Sequence, residues 1–196
     1  NQGLDKVIFK PVAIGYRAGE TQQGDGPNQS AALPHGCAIA IGYDAGRFKQ
    51  GQCSVAIGVS GGSHDQHQKS VAIGFQAGEW NQGQGYGTQI NNAGNAVAIG
   101  TEAGRYDQSS NAIAIGYEAG QTSQNDSCIA IGYQAGQVEQ GFNGANLNLG
   151  TIAIGLRAGQ IDQNTRSVAI GQEAGQNTQG TLSIAMGYQA GKVLQG

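Results

Sequence analysis

Bulky apolar, small and polar residues follow one fixed order that recurs ten times along this chain. Residues 70–83 show it most regularly: Ser-Val-Ala-Ile-Gly-Phe-Gln-Ala-Gly-Glu-Trp-Asn-Gln-Gly. We number each copy from the glycine that ends the Ala-Ile-Gly core, which is position 0 and is Gly74 in this stretch. Successive position-0 glycines lie 16 residues apart, except that the first, fourth and seventh steps are longer by 11, 10 and 7 residues. Fixed-period self-similarity of this kind is typical of repeat architectures.

Each copy predicts two short strands separated by glycine turns. Position −3 is always Val or Ile, position −1 is Ile except for Met186, and Ala lies between them at −2. Alternation of β-branched with small residues predicts a strand. After the glycine, position +3 is Ala in nine copies, +4 is Gly in all ten and +8 is Gln in all ten. The pattern predicts an all-β fold, a β-solenoid of ten coils over residues 12–196, preceded by a lead-in or cap over residues 1–11.

Stacked coils place equivalent residues above one another, so each position becomes a column. We expect the −3 and −1 columns to fill the interior as a core ladder that includes Val71, Ile73, Val97, Ile99, Ile113, Ile115, Ile129 and Ile131. The +8 column predicts an amide ladder in which each side chain donates to the next coil, unless these residues are merely solvated turn residues. Its members are Gln23, Gln50, Gln66, Gln82, Gln108, Gln124, Gln140, Gln163, Gln179 and Gln195.

Neither face of the first strand is polar, which is typical of a strand buried on both sides. The interior of one coil covers only one of these faces, and a long exposed apolar stripe usually marks an interface. We therefore predict a homo-oligomer that packs along the alanine column at −2. These residues are Ala13, Ala40, Ala56, Ala72, Ala98, Ala114, Ala130, Ala153, Ala169 and Ala185.

The three longer steps predict insertions that leave the rod at one corner. They run from Gly24 to Gly36, from Gln84 to Gly94 and from Gly141 to Gly150. Three coils separate them, so they should project about 14 Å apart. Two interpretations stay open, namely binding of a receptor or glycan, or structural flaps that cover a neighbouring chain. The candidate binding residues are Pro27, His35, Tyr86, Ile90, Phe142 and Leu147.

Composition narrows the class of protein without identifying a site of chemistry. Charged residues are 12% of the chain, against about 25% in ordinary domains. A net charge of −3 and the absence of a basic patch make nucleic acid an unsuitable partner. No apolar run is long enough to span a membrane. Both ends of the chain resemble repeat boundaries, so we expect a piece of a longer array.

Candidate chemistry is sparse. No nucleophile stands beside a histidine, and the glycine pattern lacks the Lys-Ser/Thr of a phosphate loop, so we expect neither an enzyme nor a cofactor. His64, Asp65 and His67 are close in sequence but lack a fourth ligand, so no metal site is predicted. Cys37 and Cys53 both stand at −5 in successive coils, where a disulfide between them requires an oxidising compartment.

The phrase Ser-Val-Ala-Ile-Gly, with Ala at +3 and a glycine-bounded turn, resembles the head repeats of YadA-like trimeric autotransporter adhesins. Similar tracts are found in phage tail fibres and in surface proteins of large DNA viruses. The resemblance covers all ten copies and implies a left-handed parallel β-roll, a trimer and an adhesive role on a cell or virion surface. The Gln at +8, the 16-residue period and the regular insertions are departures from that family's signature.

The expected function is therefore a non-enzymatic extracellular rod that acts as an adhesin or fibre and contacts a host receptor or glycan through its loops. Two alternatives stay open. One is a purely structural filament subunit whose coils continue end to end without a ligand. The other is a stalk that presents an enzyme located elsewhere in a longer protein.

Overall fold

The computed structural model describes residues 11–24, 36–84, 94–142 and 150–195, with only the backbone of Gln195. In these ranges the regular structure is short β-strands, and ten of them pair in parallel as the first sheet. The strands are β1 (Val12–Ile14), β2 (Ile39–Ile41), β3 (Val55–Ile57), β4 (Val71–Ile73), β5 (Val97–Ile99), β6 (Ile113–Ile115), β7 (Ile129–Ile131), β8 (Ile152–Ile154), β10 (Val168–Ile170) and β12 (Ile184–Met186). The predicted all-β solenoid is confirmed.

A second sheet lies on the other side of each coil, at positions +6 to +8. The strands β9 (Ile161–Gln163), β11 (Asn177–Gln179) and β13 (Val193–Gln195) pair in parallel in the order β13-β11-β9. Parallel bridges continue this sheet from Ile161 back toward the N-terminus through Val138, Thr122, Tyr106, Trp80, His64, Phe48 and Thr21. Each coil therefore contributes one short segment to each of two parallel sheets.

The insertions do not disturb the register of the coils. Val71 pairs with Val97 across the second insertion, just as Val55 pairs with Val71 across an uninterrupted coil. The same in-register pairing holds across the first and third insertions. The added residues thus leave and re-enter the coil at one corner, and the columns stay continuous.

The structure reverses the predicted faces of the first strand. The −2 alanines are the core: from Ala40 to Ala169 they are 0% exposed, and Ala185 is 2% exposed. Ala13 occupies the same column but is exposed in the first described coil. The predicted oligomer interface Ala13, Ala40, Ala56, Ala72, Ala98, Ala114, Ala130, Ala153, Ala169 and Ala185 is therefore the inner face of the strand.

The predicted core ladder lies on the outer face instead. Val71, Ile73, Val97, Ile113 and Ile129 are only half-buried. Ile99, Ile115 and Ile131 are each more than a third exposed. The physical reason is the depth of the coil, because the space between the sheets is filled by alanines at −2 and +3 together with the glutamines at +8. Because added volume in a filled interior is destabilising, the larger Val and Ile side chains lie on the outer face.

The glutamine column sets this depth. Gln124 lies on the second sheet, and its Nε2 crosses the interior to donate to the backbone oxygen of Ile113 on the first sheet, at 2.8 Å. The same bond to the residue at −3 recurs in each coil from Gln23 to Gln179, at 2.7–2.9 Å. One glutamine side chain therefore spans the distance between the sheets.

The same amides also bond to one another along the rod. Six consecutive links join Gln66 to Gln179, with Nε2 of each donating to Oε1 of the next at 2.9–3.2 Å. At the start of the column Oε1 of Gln50 and Oε1 of Gln66 have no partner. The amide ladder thus runs through the middle and C-terminal coils.

Glycine at position 0 is required by the close approach of successive coils. These residues have φ between +114° and +137°, a region that side chains with a Cβ rarely adopt. A Cβ on Gly155 would lie 2.6 Å from the carbonyl oxygen of Gly171 in the next coil, whereas a Cβ on Gly187 would meet nothing within 4 Å. A substitution at Gly155 therefore combines backbone strain with a collision between coils, whereas one at Gly187 introduces backbone strain alone.

We expect Gly155→Ala to lower the free energy of unfolding by about 3 kcal/mol or more, because it combines backbone strain with overpacking against backbone. Gly187→Ala, the matched control, adds strain alone and should cost about 1–2 kcal/mol. Urea denaturation of both variants measures the difference. Equal losses would show that contact between coils does not select glycine here.

We expect Gln124→Met, which keeps the length of the side chain, to cost about 3 kcal/mol of unfolding free energy. It removes the bonds to Ile113 and Gln140 and leaves the buried amide oxygen of Gln140 without its donor. Gln23→Met is the control, because Gln23 makes a single exposed bond to Val12. Denaturation midpoints that fall equally in the two variants would contradict a stabilising ladder.

Candidate functional site: an apolar ridge along the first sheet

The outer face of the first sheet carries a continuous apolar surface, which we call the apolar ridge. It consists of positions −3, −1 and +1 of all ten coils, and each of these residues is half-buried or exposed. None of them is charged. The +1 column is exposed throughout and comprises Tyr16, Tyr43, Val59, Phe75, Thr101, Tyr117, Tyr133, Leu156, Gln172 and Tyr188.

The ridge is long for the surface of a single chain. Ten coils at about 4.8 Å per step give a length of about 43 Å. Three alternate positions along the chain give a width of about 10 Å, so the projected area is on the order of 400 Å². Exposed apolar patches of this size, bordered by polar residues, mark interaction sites.

Many polar side chains next to the ridge have hydrogen-bond partners within the chain. Position +2 lies at one border of the ridge, and position +5 immediately precedes the second sheet. Glu102 accepts hydrogen bonds from Arg105 at 3.0 Å and from Gln121 of the next coil at 2.6 Å. Arg105 also donates to Glu79 of the preceding coil at 2.8 Å. The last two of these bonds join side chains of successive coils.

Similar polar contacts continue toward the C-terminus. Glu118 accepts bonds from Gln134 and Gln137, each at 2.7 Å. The Lys192 ammonium donates to Glu173 at 2.6 Å and holds the pKa of that carboxyl below its ordinary value. The polar surface therefore finds its partners inside one chain, whereas the ridge does not.

The aromatic side chains stack mainly on one another. In the +1 column the ring centroids of Tyr16 and Tyr43 are 5.2 Å apart, and those of Tyr117 and Tyr133 are 5.0 Å apart. In the +6 column His64 lies 3.8 Å from Trp80 at an interplanar angle of 7° and 4.9 Å from Phe48. Rings that stack from coil to coil cover their faces and leave their edges toward solvent. Because a sugar ring packs on an aromatic face, the stacked pairs offer less surface for a glycan than isolated rings would.

The histidines of the third coil occupy two different surroundings. His64 belongs to the aromatic stack, and His67 is buried near the base of the second insertion. Burial lowers the pKa of both imidazoles below the ordinary value. Among the residues that the structure describes, no three His, Cys, Asp or Glu side chains are grouped to hold a metal ion.

The predicted binding residues fall almost entirely outside the described ranges. Phe142 is described and is 48% exposed at the base of the third insertion. Pro27, His35, Tyr86, Ile90 and Leu147 lie outside the described residues. The described residues thus place the ends of the insertions at one corner of the rod but not the proposed contacts.

Comparison of the chain with protein-family models, with curated proteins and with solved structures finds no match. In the described part of the chain there is also no helix with the length and apolar character needed to cross a membrane. The function is therefore inferred from the geometry of the surfaces.

Proposed function

We propose that this chain is a non-enzymatic structural rod of a cell or virion surface, which assembles with copies of itself through the apolar ridge. The observation that carries the proposal is the absence of charge from three adjacent exposed columns over ten coils. Burying apolar surface stabilises by about 25 cal/mol per Å² before the costs of association. A ridge on the order of 400 Å² per chain supplies apolar surface for such an association.

A second copy in parallel orientation suits the borders of the ridge. Cyclic assemblies use heterologous contacts, so the −5 border of one chain meets the +2 border of the next. In the same coil, Asn111 at −5 corresponds to Glu118 at +2, and Arg166 corresponds to Glu173. In these two coils a donor lies opposite a carboxylate that also has partners within its own chain, so the borders are compatible with parallel packing. Three such chains bury their ridges around one axis, in agreement with the resemblance to trimeric adhesins.

The insertions supply the adhesive part of the proposal. All three interrupt the same corner, and the register of the coils is unaffected by them. Loops fixed on a rigid scaffold are favourable places for binding. A repeated spacing of about 14 Å along the rod suits a polymeric host glycan or an extended receptor contacted at several points.

Polar groups in the interior also support a structural role. The buried glutamines bond to backbone oxygens and to one another. The buried hydroxyl of Ser54 donates to the carbonyl oxygen of Gly51 at 2.7 Å. These groups are occupied in holding the coils together and are turned away from solvent, where a substrate would have to bind.

The ridge is tested by a matched pair of isoleucines. Ile154 lies on the ridge and is 36% exposed, whereas Ile161 lies on the second sheet and is 40% exposed. We expect the unmodified chain to form a discrete particle of about three chains, measured by light scattering. Ile154→Glu should reduce the mass to that of a single chain, because a carboxylate would be buried without a partner. Ile161→Glu should leave the mass unchanged.

A monomeric unmodified chain would contradict assembly through the ridge. The same holds if both glutamate variants dissociate equally. Long filaments, seen by negative-stain imaging and retained by Ile154→Glu, would instead support the end-to-end fibre.

Adhesion is tested by restoring a uniform 16-residue period. Excision of residues 25–35, 84–93 and 143–149 removes 11, 10 and 7 residues, which are the excess lengths of the three longer steps. We expect the shortened chain to keep its circular dichroism and its number of chains per particle but to lose at least tenfold in glycan-array or host-cell binding. Binding that survives excision, or fewer chains per particle, would favour the interpretation of the insertions as structural flaps.

A further inference from the structure

Two free thiols lie side by side on the surface of neighbouring coils. Cys37 and Cys53 occupy position −5 of the second and third coils, and both are exposed. We propose that these two residues are a modification site, at which a low-molecular-weight disulfide oxidises them to an intramolecular disulfide between the coils. The proposal depends on the stacking of the coils within one chain; because the proposed oligomer brings position −5 near a neighbouring chain, the test below also uses a single-chain variant.

The contacts on either side of the pair fix its register. Ile39 pairs with Val55, and the nitrogen of Ile39 donates to the oxygen of Ser54 at 3.0 Å. On the other side, Gly36 lies against Gln52, since a Cβ on Gly36 would come within 2.6 Å of the Gln52 Cβ. Cys37 and Cys53 lie between these contacts, and residues in register on adjacent parallel strands are about 4.8 Å apart. Disulfides form at Cα separations of about 4.4–6.8 Å.

The third cysteine provides an internal contrast. Cys128 is buried at position −4, where it accepts a hydrogen bond from the hydroxyl of Thr151 at 3.3 Å. Its burial raises the pKa of the thiol, which keeps it in the less reactive protonated form. Its neighbours in the column, Ala112 and Thr151, carry no sulfur. Only the surface pair has both access and a partner.

The chemistry consists of two thiol–disulfide exchanges. The thiolate of one cysteine attacks a sulfur of the oxidant, forms a mixed disulfide and releases one thiol. The thiolate of the second cysteine then attacks the protein sulfur of that mixed disulfide and releases the other half of the oxidant as a thiol. Two protein thiols become one disulfide, and one disulfide oxidant becomes two thiols, so protons and electrons balance.

The bond would close one complete turn of the solenoid as a covalent ring. It would also fix the point at which the chain re-enters the coil after the first insertion, where the nitrogen of Gly36 donates to the oxygen of Gly24 at 3.2 Å. In repeat proteins each coil is held only by its neighbours, so terminal coils can open separately. The ring would therefore protect the N-terminal coils against opening.

The test uses the full chain with Cys128→Ser, because serine occupies the same position at Ser54, Ser70, Ser167 and Ser183. After exposure to oxidised glutathione, the intact mass should fall by the mass of one hydrogen molecule. Peptide mapping without reduction should join Cys37 to Cys53, and dithiothreitol should reverse both changes. Oxidised protein should unfold at a higher urea concentration and resist proteolysis near the first insertion.

Single variants Cys37→Ser and Cys53→Ser in the same background are the controls. Each should instead keep one glutathione, because its mixed disulfide has no second thiol to resolve it. Wild-type cysteines that retain two glutathiones, or that link separate chains, would overturn the proposal. Repeating the oxidation in Ile154→Glu separates this result from oligomerisation, because the disulfide should form in the single chain as well.

Discussion

The depth of the coil, set by one glutamine side chain, is the constraint on which the other features depend. Gln124 and its equivalents join the second sheet to the backbone of the first and then to one another. With the sheets held at that distance, the inward positions of the first strand hold alanine. Every bulky apolar side chain of the first strand therefore faces outward. The same bonds that stabilise the single chain thus create the surface that we propose for assembly.

Backbone pairing is identical from one coil to the next, so the backbone alone does not distinguish a native stack from one shifted by a coil. Side chains on the polar columns supply that distinction. Glu79 meets Arg105, Asn81 donates to Asp107, and Glu173 meets Lys192. Exposed ion pairs contribute little stability individually. They instead favour the native register, because a stack shifted by one coil would separate these complementary neighbours.

Much of the fold could be predicted from periodicity, because a fixed repeat with glycine turns admits few other structures. The glutamine column was also visible, since one residue type recurs at +8 in every copy. Which face of the first strand points into the coil could not be predicted in the same way. Alternation separates Ala72 from Val71 and Ile73, but both sets are apolar, and hydrophobicity favours the larger side chains inside. The decisive information is the depth of the interior, which depends on where Gln82 bonds in three dimensions.

The outer faces of the two sheets differ in a way that bears on the partner. The +6 column on the second sheet changes from coil to coil, from Phe48 and Trp80 to Thr122 and Ile161. The −3 and −1 columns of the ridge contain only Val, Ile and one Met. A surface that repeats along its length is complementary to another surface with the same repeat, because each coil then meets an equivalent coil. A second copy of this chain has the same repeat, whereas an unrelated globular partner does not.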